Sequence, residues 1–251
     1  MLRKRIIPTL LIEKQSLIKT INFKKKTYIG DPLNAIKIFN EKFVDELIIL
    51  DINQNKNQHD IDYDFLKDLF SECFVPVTYG GGVNDLRQAD KILKLGAEKI
   101  CLNSIVLENI QILKEFAKSF GSQSVVVSVD VKKNFLNKYS IYNNKYQKFE
   151  KNLDLVNFIY DLKDLGAGEI IINSIDCDGM MKGMDINLIK KTKDLINLPI
   201  IYGGGVGADT DIKEAFFNEI SGITAGSYFL FYGPHKAVLI SYPHEKFEDY
   251  V

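Results

Sequence analysis

The chemistry open to this chain rests on a few residues that recur at matching places. Tyr79 is followed by Gly80, Gly81 and Gly82, and Tyr202 by Gly203, Gly204 and Gly205, within the closely similar stretches VPVTYGGGV and LPIIYGGGV. A glycine triplet lets the backbone turn sharply and approach an anion without interference from a Cβ. Downstream of the first triplet an apolar run ends in Asn103-Ser104, and downstream of the second one ends in Gly226-Ser227. A hydroxyl at such a point, opening a short helix, offers free N–H groups to a phosphate. One triplet alone could simply make a tight turn. Two copies in register point to two cradles, one of Gly81, Gly82, Asn103 and Ser104, the other of Gly204, Gly205, Gly226 and Ser227. The pair suits an elongated ligand with a phosphate at each end.

Carboxylates stand where other apolar runs end: Asp51 closes ELIILD, Asp130 closes VVVSVD, and Asp176 closes NSID with Asp178 just beyond. A carboxylate beside a phosphate-bearing ligand can act as a general acid or base, and Asp130 is the candidate catalytic group. It could instead cap a following helix or pair with Lys132 or Lys19. Its counterpart in the first half, at the end of IIPTLL, is Leu11, so only one half keeps an acid.

The elements that must position these residues alternate. Short β-branched runs read as strands at Arg5–Ile12, Glu46–Asp51, Val75–Tyr79, Lys99–Leu102, Ser124–Asp130, Glu169–Asn173, Pro199–Tyr202 and Gly222–Ala225. Helical periodicity lies between them at Asp64–Phe74, Asp85–Leu95, Asn109–Phe120, Leu153–Leu165, Ile186–Leu195 and Asp209–Phe217. Alternation implies parallel pairing with right-handed crossovers, and eight strands without an evident edge favour a closed (β/α)8 TIM barrel in the α/β class. The repeats divide one domain, residues 1–251, into duplicated half-barrels of about 1–122 and 123–251. A length of 251 residues suits one such barrel.

Lys+Arg of 32 against Asp+Glu of 33 gives no electrostatic case for nucleic acid or an anionic membrane. The basic start before IIPTLLIEK has too short an apolar run for a signal peptide, and no segment approaches a membrane span. A cytoplasmic protein is expected. Cys73, Cys101 and Cys177 are read as buried reduced thiols, and His59, His235 and His244 are too scattered for a zinc site, so neither metal nor cofactor is expected.

With these residues set out, the chain resembles, over essentially its full length, the cyclase (HisF-type) subunit of imidazole glycerol phosphate synthase. The resemblance is carried by RKRII, NF, GDP (Gly30–Pro32), DEL and LDI within Asp45–Ile52, and YGGGV. It continues through FGSQSVVV to Asp130, then GAGEI, SID and DG within Gly166–Gly179, and LPIIYGGGVG. It implies a glutaminase (HisH-like) partner docked on the amino-terminal face, with ammonia passing through the barrel to a phosphorylated small-molecule substrate at the carboxyl face. It adds Lys19, Asp51, Asp178 and Gly179 to the substrate-binding residues. It also implies an ammonia gate, a ring of alternating charges made by Arg5, Glu46, Lys99 and Glu169, although such a ring could be no more than a satisfied ion-pair cluster.

Departures gather at the other face. The family's two catalytic aspartates fall on Leu11 and Asp130, so one is absent. A Gly-Arg pair is replaced by Gln15-Ser16, the glycine after Lys19 is Thr20, and the threonine before SID is Asn173. Leucine moves no proton, so the usual acid–base pair for ring closure is incomplete. That is the pattern of a paralogue, and paralogues of both synthase subunits are associated with acetamidino-sugar formation for bacterial surface glycans, where a separate sugar amidotransferase uses ATP. The leading expectation is an ammonia-receiving synthase subunit for sugar amidation. Two alternatives stay open: a cyclase of histidine biosynthesis compensated by Asp51 or Asp178, and a non-catalytic scaffold that activates the glutaminase.

Overall fold

The computed structural model describes residues 4–52, 61–243 and 247. His59 and His244 lie outside the described residues, as does Arg3 of RKRII. Eight parallel strands close on themselves: β1 (Arg5–Glu13), β2 (Leu47–Asp51), β3 (Val77–Gly80), β4 (Lys99–Leu102), β5 (Val125–Lys133), β6 (Glu169–Ser174), β7 (Ile200–Gly203) and β8 (Gly222–Ala225). β8 pairs with β1 through Arg5↔Gly222, and β5 with β6 through Asn173↔Asp130, so no barrel edge is left open.

Helices cover the outside: α1 (Pro32–Glu41), α2 (Tyr63–Ser71), α3 (Leu86–Leu95), α4 (Ser104–Glu108), α5 (Ile112–Phe120), α6 (Leu155–Asp164), α7 (Ile186–Thr192), α8 (Asp209–Phe217) and α9 (Ser227–Leu230). Several begin on an aspartate that accepts from the first turn, as Asp85 does from the Gln88 N–H at 2.8 Å and Asp185 from the Leu188 N–H at 3.1 Å. The period-2 alternation of the strands sorts the core into two parts. On β1, Ile6, Leu10 and Ile12 face the helices, while Ile7 joins Ile48, Cys101, Val126, Ile171 and Ile201 in a separate cluster inside the barrel.

The structure corrects several expected boundaries. β3 starts at Val77 rather than Val75, since Pro76 has no N–H and serves the ladder only by accepting from Leu47 at 3.0 Å. β5 runs past Asp130 to Lys133 because its end pairs antiparallel with Tyr139–Asn143. A second excursion follows β1, where Ser16–Ile21 folds back and pairs with Lys25–Gly30. α1 is a helix beyond those the periodicity predicts; Asp31 caps it by accepting from the Leu33 N–H at 2.9 Å, and Pro32 occupies its first turn. Cys101 is buried as expected, but Cys73 and Cys177 are only half-buried. No helix among the described residues is long and apolar enough to cross a membrane.

Candidate functional site

The carboxyl ends of the strands surround a cavity of about 170 Å³. It reaches down to Thr9, Ser128 and Thr224, a polar layer above the interior cluster, and touches that cluster at Cys101. Asp130 stands at its wall near the end of β5 and is buried. It pairs with neither Lys132 nor Lys19. Asn173 on β6 donates its amide to Oδ1 at 3.1 Å, and Asn103 after β4 donates to Oδ2 at 3.1 Å. Both amides are steadied by a second bond, Asn103 to the Ser128 carbonyl at 2.9 Å and Asn173 to the Ser128 hydroxyl at 3.0 Å. Burial pushes the Asp130 carboxyl up to about 6, with the two amides opposing that rise and the charge of Asp178 adding to it.

The two glycine loops flank this carboxylate. Gly80 ends β3, Gly81 and Gly82 follow it, and all three line the cavity with Asn103 and Ser104. Gly204 and Gly205 follow β7 and line a smaller recess of about 30 Å³ together with Gly179, Gly226 and Ser227. Gly81 has φ +133° and Gly205 φ +103°, both in the range that favours glycine. A Cβ at Gly81 would collide with the Asp51 carbonyl, and one at Gly205 with the Gly183 carbonyl. Each loop is followed in space by a hydroxyl opening a short helix: Ser104 at the start of α4 and Ser227 at the start of α9. The Ser227 hydroxyl is buried without a hydrogen-bond partner, a costly state that an anion in the recess would relieve.

Lys19 and Asp178 are brought together rather than left free for a ligand. The Lys19 ammonium lies 2.7 Å from the Asp178 carboxylate, which also accepts from the Thr20 hydroxyl at 2.9 Å. Asn22 adds bonds of 2.9 Å to the carbonyls of Ile175 and Asp176. The hairpin after β1 is thereby clasped onto the loop after β6, with Phe23 and Lys26 added to the cavity lining. Sequence reading found Lys19 and Asp178 but not their pairing, because 159 residues separate them. Asp51 lines the cavity, whereas Asp176 does not; its carboxylate accepts from the Lys133 N–H at 2.8 Å and supports the β5 hairpin. Leu11 stands in the mouth on β1, in register with Leu50 of β2.

At the opposite end of the barrel, Arg5, Glu46, Lys99 and Glu169 form a closed ring. Arg5 lies 2.7 Å from Glu46 and 3.0 Å from Glu169, and Lys99 lies 3.4 Å from each of the same carboxylates. The two acids hold the Arg5 guanidinium above its ordinary value against the opposing effect of burial.

Fold and site together define a class: a (β/α)8 barrel whose candidate site occupies the carboxyl ends of its strands, with an ion-pair ring closing the amino end. The family described as histidine biosynthesis protein matches residues 5–235. A protein of Vibrio vulnificus with the provisional name imidazole glycerol phosphate synthase subunit hisF3 is 45% identical over 245 residues, covering 97% of this chain and 94% of its own. One of Leptospira borgpetersenii, provisionally named subunit HisF, is 46% identical over 247 residues, 97% of this chain and 96% of its own. The imidazole glycerol phosphate synthase subunit HisF of Methanococcus vannielii is 37% identical over 238 residues, 87% of each chain. The chain belongs to the family of HisF-type cyclase subunits of imidazole glycerol phosphate synthase.

Proposed function

We propose that this chain is the ammonia-receiving barrel of a glutamine-dependent synthase whose acceptor is a phosphorylated sugar derivative on a route to surface glycan, rather than the ribulotide of histidine synthesis. A glutaminase docks at the amino-terminal face, and Arg5, Glu46, Lys99 and Glu169 gate ammonia into the barrel. The two glycine cradles hold the phosphates of the ligand, and a separate ATP-using amidotransferase completes the amidation. The observation that carries this reading is Leu11. It occupies the mouth on β1, while Asp130 stands on β5, the corresponding strand of the other half. Asp51 and Asp178 also line the mouth, but the β1 position that would match Asp130 holds no proton-transfer group.

Histidine synthesis is the second reading, favoured by one observation. The Asp130 carboxyl lies at about 6, where it can both give and take a proton near neutral pH. Compensation by Asp178 is weakened by its pairing with Lys19. Turnover of the purified chain with ammonia and the histidine-pathway ribulotide separates the two readings. An ordinary rate overturns the first, and product formation that is slow or absent supports it.

A further inference from the structure

The wall of the mouth is divided by chemistry. On one side Leu11 of β1 and Leu50 of β2 are register partners, so their side chains stand on the same face of the sheet, and both line the cavity. Below Leu11 the Thr9 and Thr224 hydroxyls bond to each other, and Thr224 also donates to the Ile7 carbonyl at 3.0 Å. Their capacity is largely used among themselves. On the other side Asn103, Asp130 and Asn173 form one hydrogen-bonded group spanning β4 to β6.

A hydroxyl placed directly against the Leu11–Leu50 patch meets two isobutyl groups and loses its water without replacement. The same hydroxyl placed against the second side meets a carboxylate with lone pairs to spare. We infer that this division selects the middle of the ligand: the site takes a bis-phosphorylated sugar derivative with a deoxygenated edge, a methylene or methyl group, against Leu11 and Leu50. The hydroxyl or amide groups of the ligand face Asp130. This rests on the reading of the two glycine loops as phosphate cradles. Leu11 and Leu50 are then specificity-determining residues.

The test is calorimetric titration of the full chain with ribitol 1,5-bisphosphate and its 2-, 3- and 4-deoxy analogues. At least one deoxy analogue is expected to bind about tenfold more tightly than the parent, within the range that a single group commands in an apolar pocket. Leu11→Asn should bring that preference to within about twofold or reverse it, whereas Leu11→Met should keep it. If Leu11→Asn does not fold, Leu50→Gln makes the same comparison. The proposal is overturned if the parent binds as well as every analogue, or if the polar variant leaves the preference unchanged. Failure of all four bisphosphates also overturns it, and inorganic phosphate then locates the fault. Phosphate still bound leaves the cradles standing; phosphate unbound removes them as well.

Discussion

Asn173 and Asp130 are register partners on β6 and β5, and the amide of the first donates to the carboxylate of the second at 3.1 Å. Asn173 is therefore part of what keeps a buried acid ionisable. Asn173→Ala removes one of its two amide donors, so the Asp130 carboxyl should rise further above about 6. A carbon-13 titration of the labelled side chain reads this directly, and an unchanged midpoint would remove the role.

The same carboxyl sets a pH dependence of stability. Its folded value of about 6 lies above its ordinary 3.8, so the native state keeps a proton that the unfolded chain has released in between. Stability contributed by this group should fall as pH rises from about 4 to about 6 and stay lower above that, by roughly 3 kcal/mol at most. Asp130→Asn should flatten this limb in urea melts followed across pH. Its absolute gain will be smaller, because an amide cannot accept from both asparagines as a carboxylate does.

Ser227 offers a test of the second cradle that separates folding from binding. Its hydroxyl is buried and unpaired, so Ser227→Ala should leave the melting temperature unchanged or slightly higher without ligand. Phosphate affinity should drop about tenfold, the scale of one hydrogen bond to a charged group. Gly205→Ala should do worse on both counts, since its Cβ collides with the Gly183 carbonyl. A Ser227→Ala protein that binds phosphate normally would exclude the hydroxyl from the cradle.

The charged ring makes a prediction about stability alone. Glu46→Gln leaves Arg5 and Lys99 to share Glu169, at 3.0 and 3.4 Å, with side chains only 9–18% exposed. A cost of about 1–3 kcal/mol is expected, less than for a fully buried pair because solvent still reaches the ring. Glu46→Gln with Lys99→Met should recover part of it, since the surplus cation is gone. A single variant within about 0.5 kcal/mol of the parent in urea denaturation would mean the ring is solvated rather than coupled.

Much of the barrel is legible because burial on both faces writes several strands as short, nearly continuous apolar runs, III in β6 or VVV in β5. The glycine loops were legible because they occur twice. What escaped were elements whose reason is tertiary. Ser16–Ile21 and Tyr139–Asn143 are short strands that exist because they fold back on the extended ends of β1 and β5. Asn173 could be seen only as an oddity before Asp130 was placed beside it. Asp176 looks like a site acid from its position, yet its carboxylate turns to the Lys133 backbone while Asp178, two residues on, lines the mouth.

Leu11 bears on the reaction itself. A positioned acid or base contributes about 10²–10⁴-fold, or roughly 3–5 kcal/mol of barrier at 1.36 kcal/mol per tenfold. Leu11 is only 9% exposed and is the register partner of Leu50, so neither of these two wall positions supplies the missing group. With ammonia and the histidine-pathway ribulotide, the chain should turn over at least about a hundredfold more slowly than a cyclase with both carboxylates. Leu11→Asp should recover part of that rate, limited by the desolvation of a new acid beside Leu50 and by Gln15, which is bonded to Asp62 at 2.7 Å in the loop above. Asp130→Asn is the companion variant. In a barrel that only delivers ammonia it leaves delivery largely intact, and in a working cyclase it abolishes product. An ordinary rate of imidazole glycerol phosphate formation by the unmodified chain, or growth without histidine restored in a strain lacking the cyclase, would return the protein to the histidine pathway.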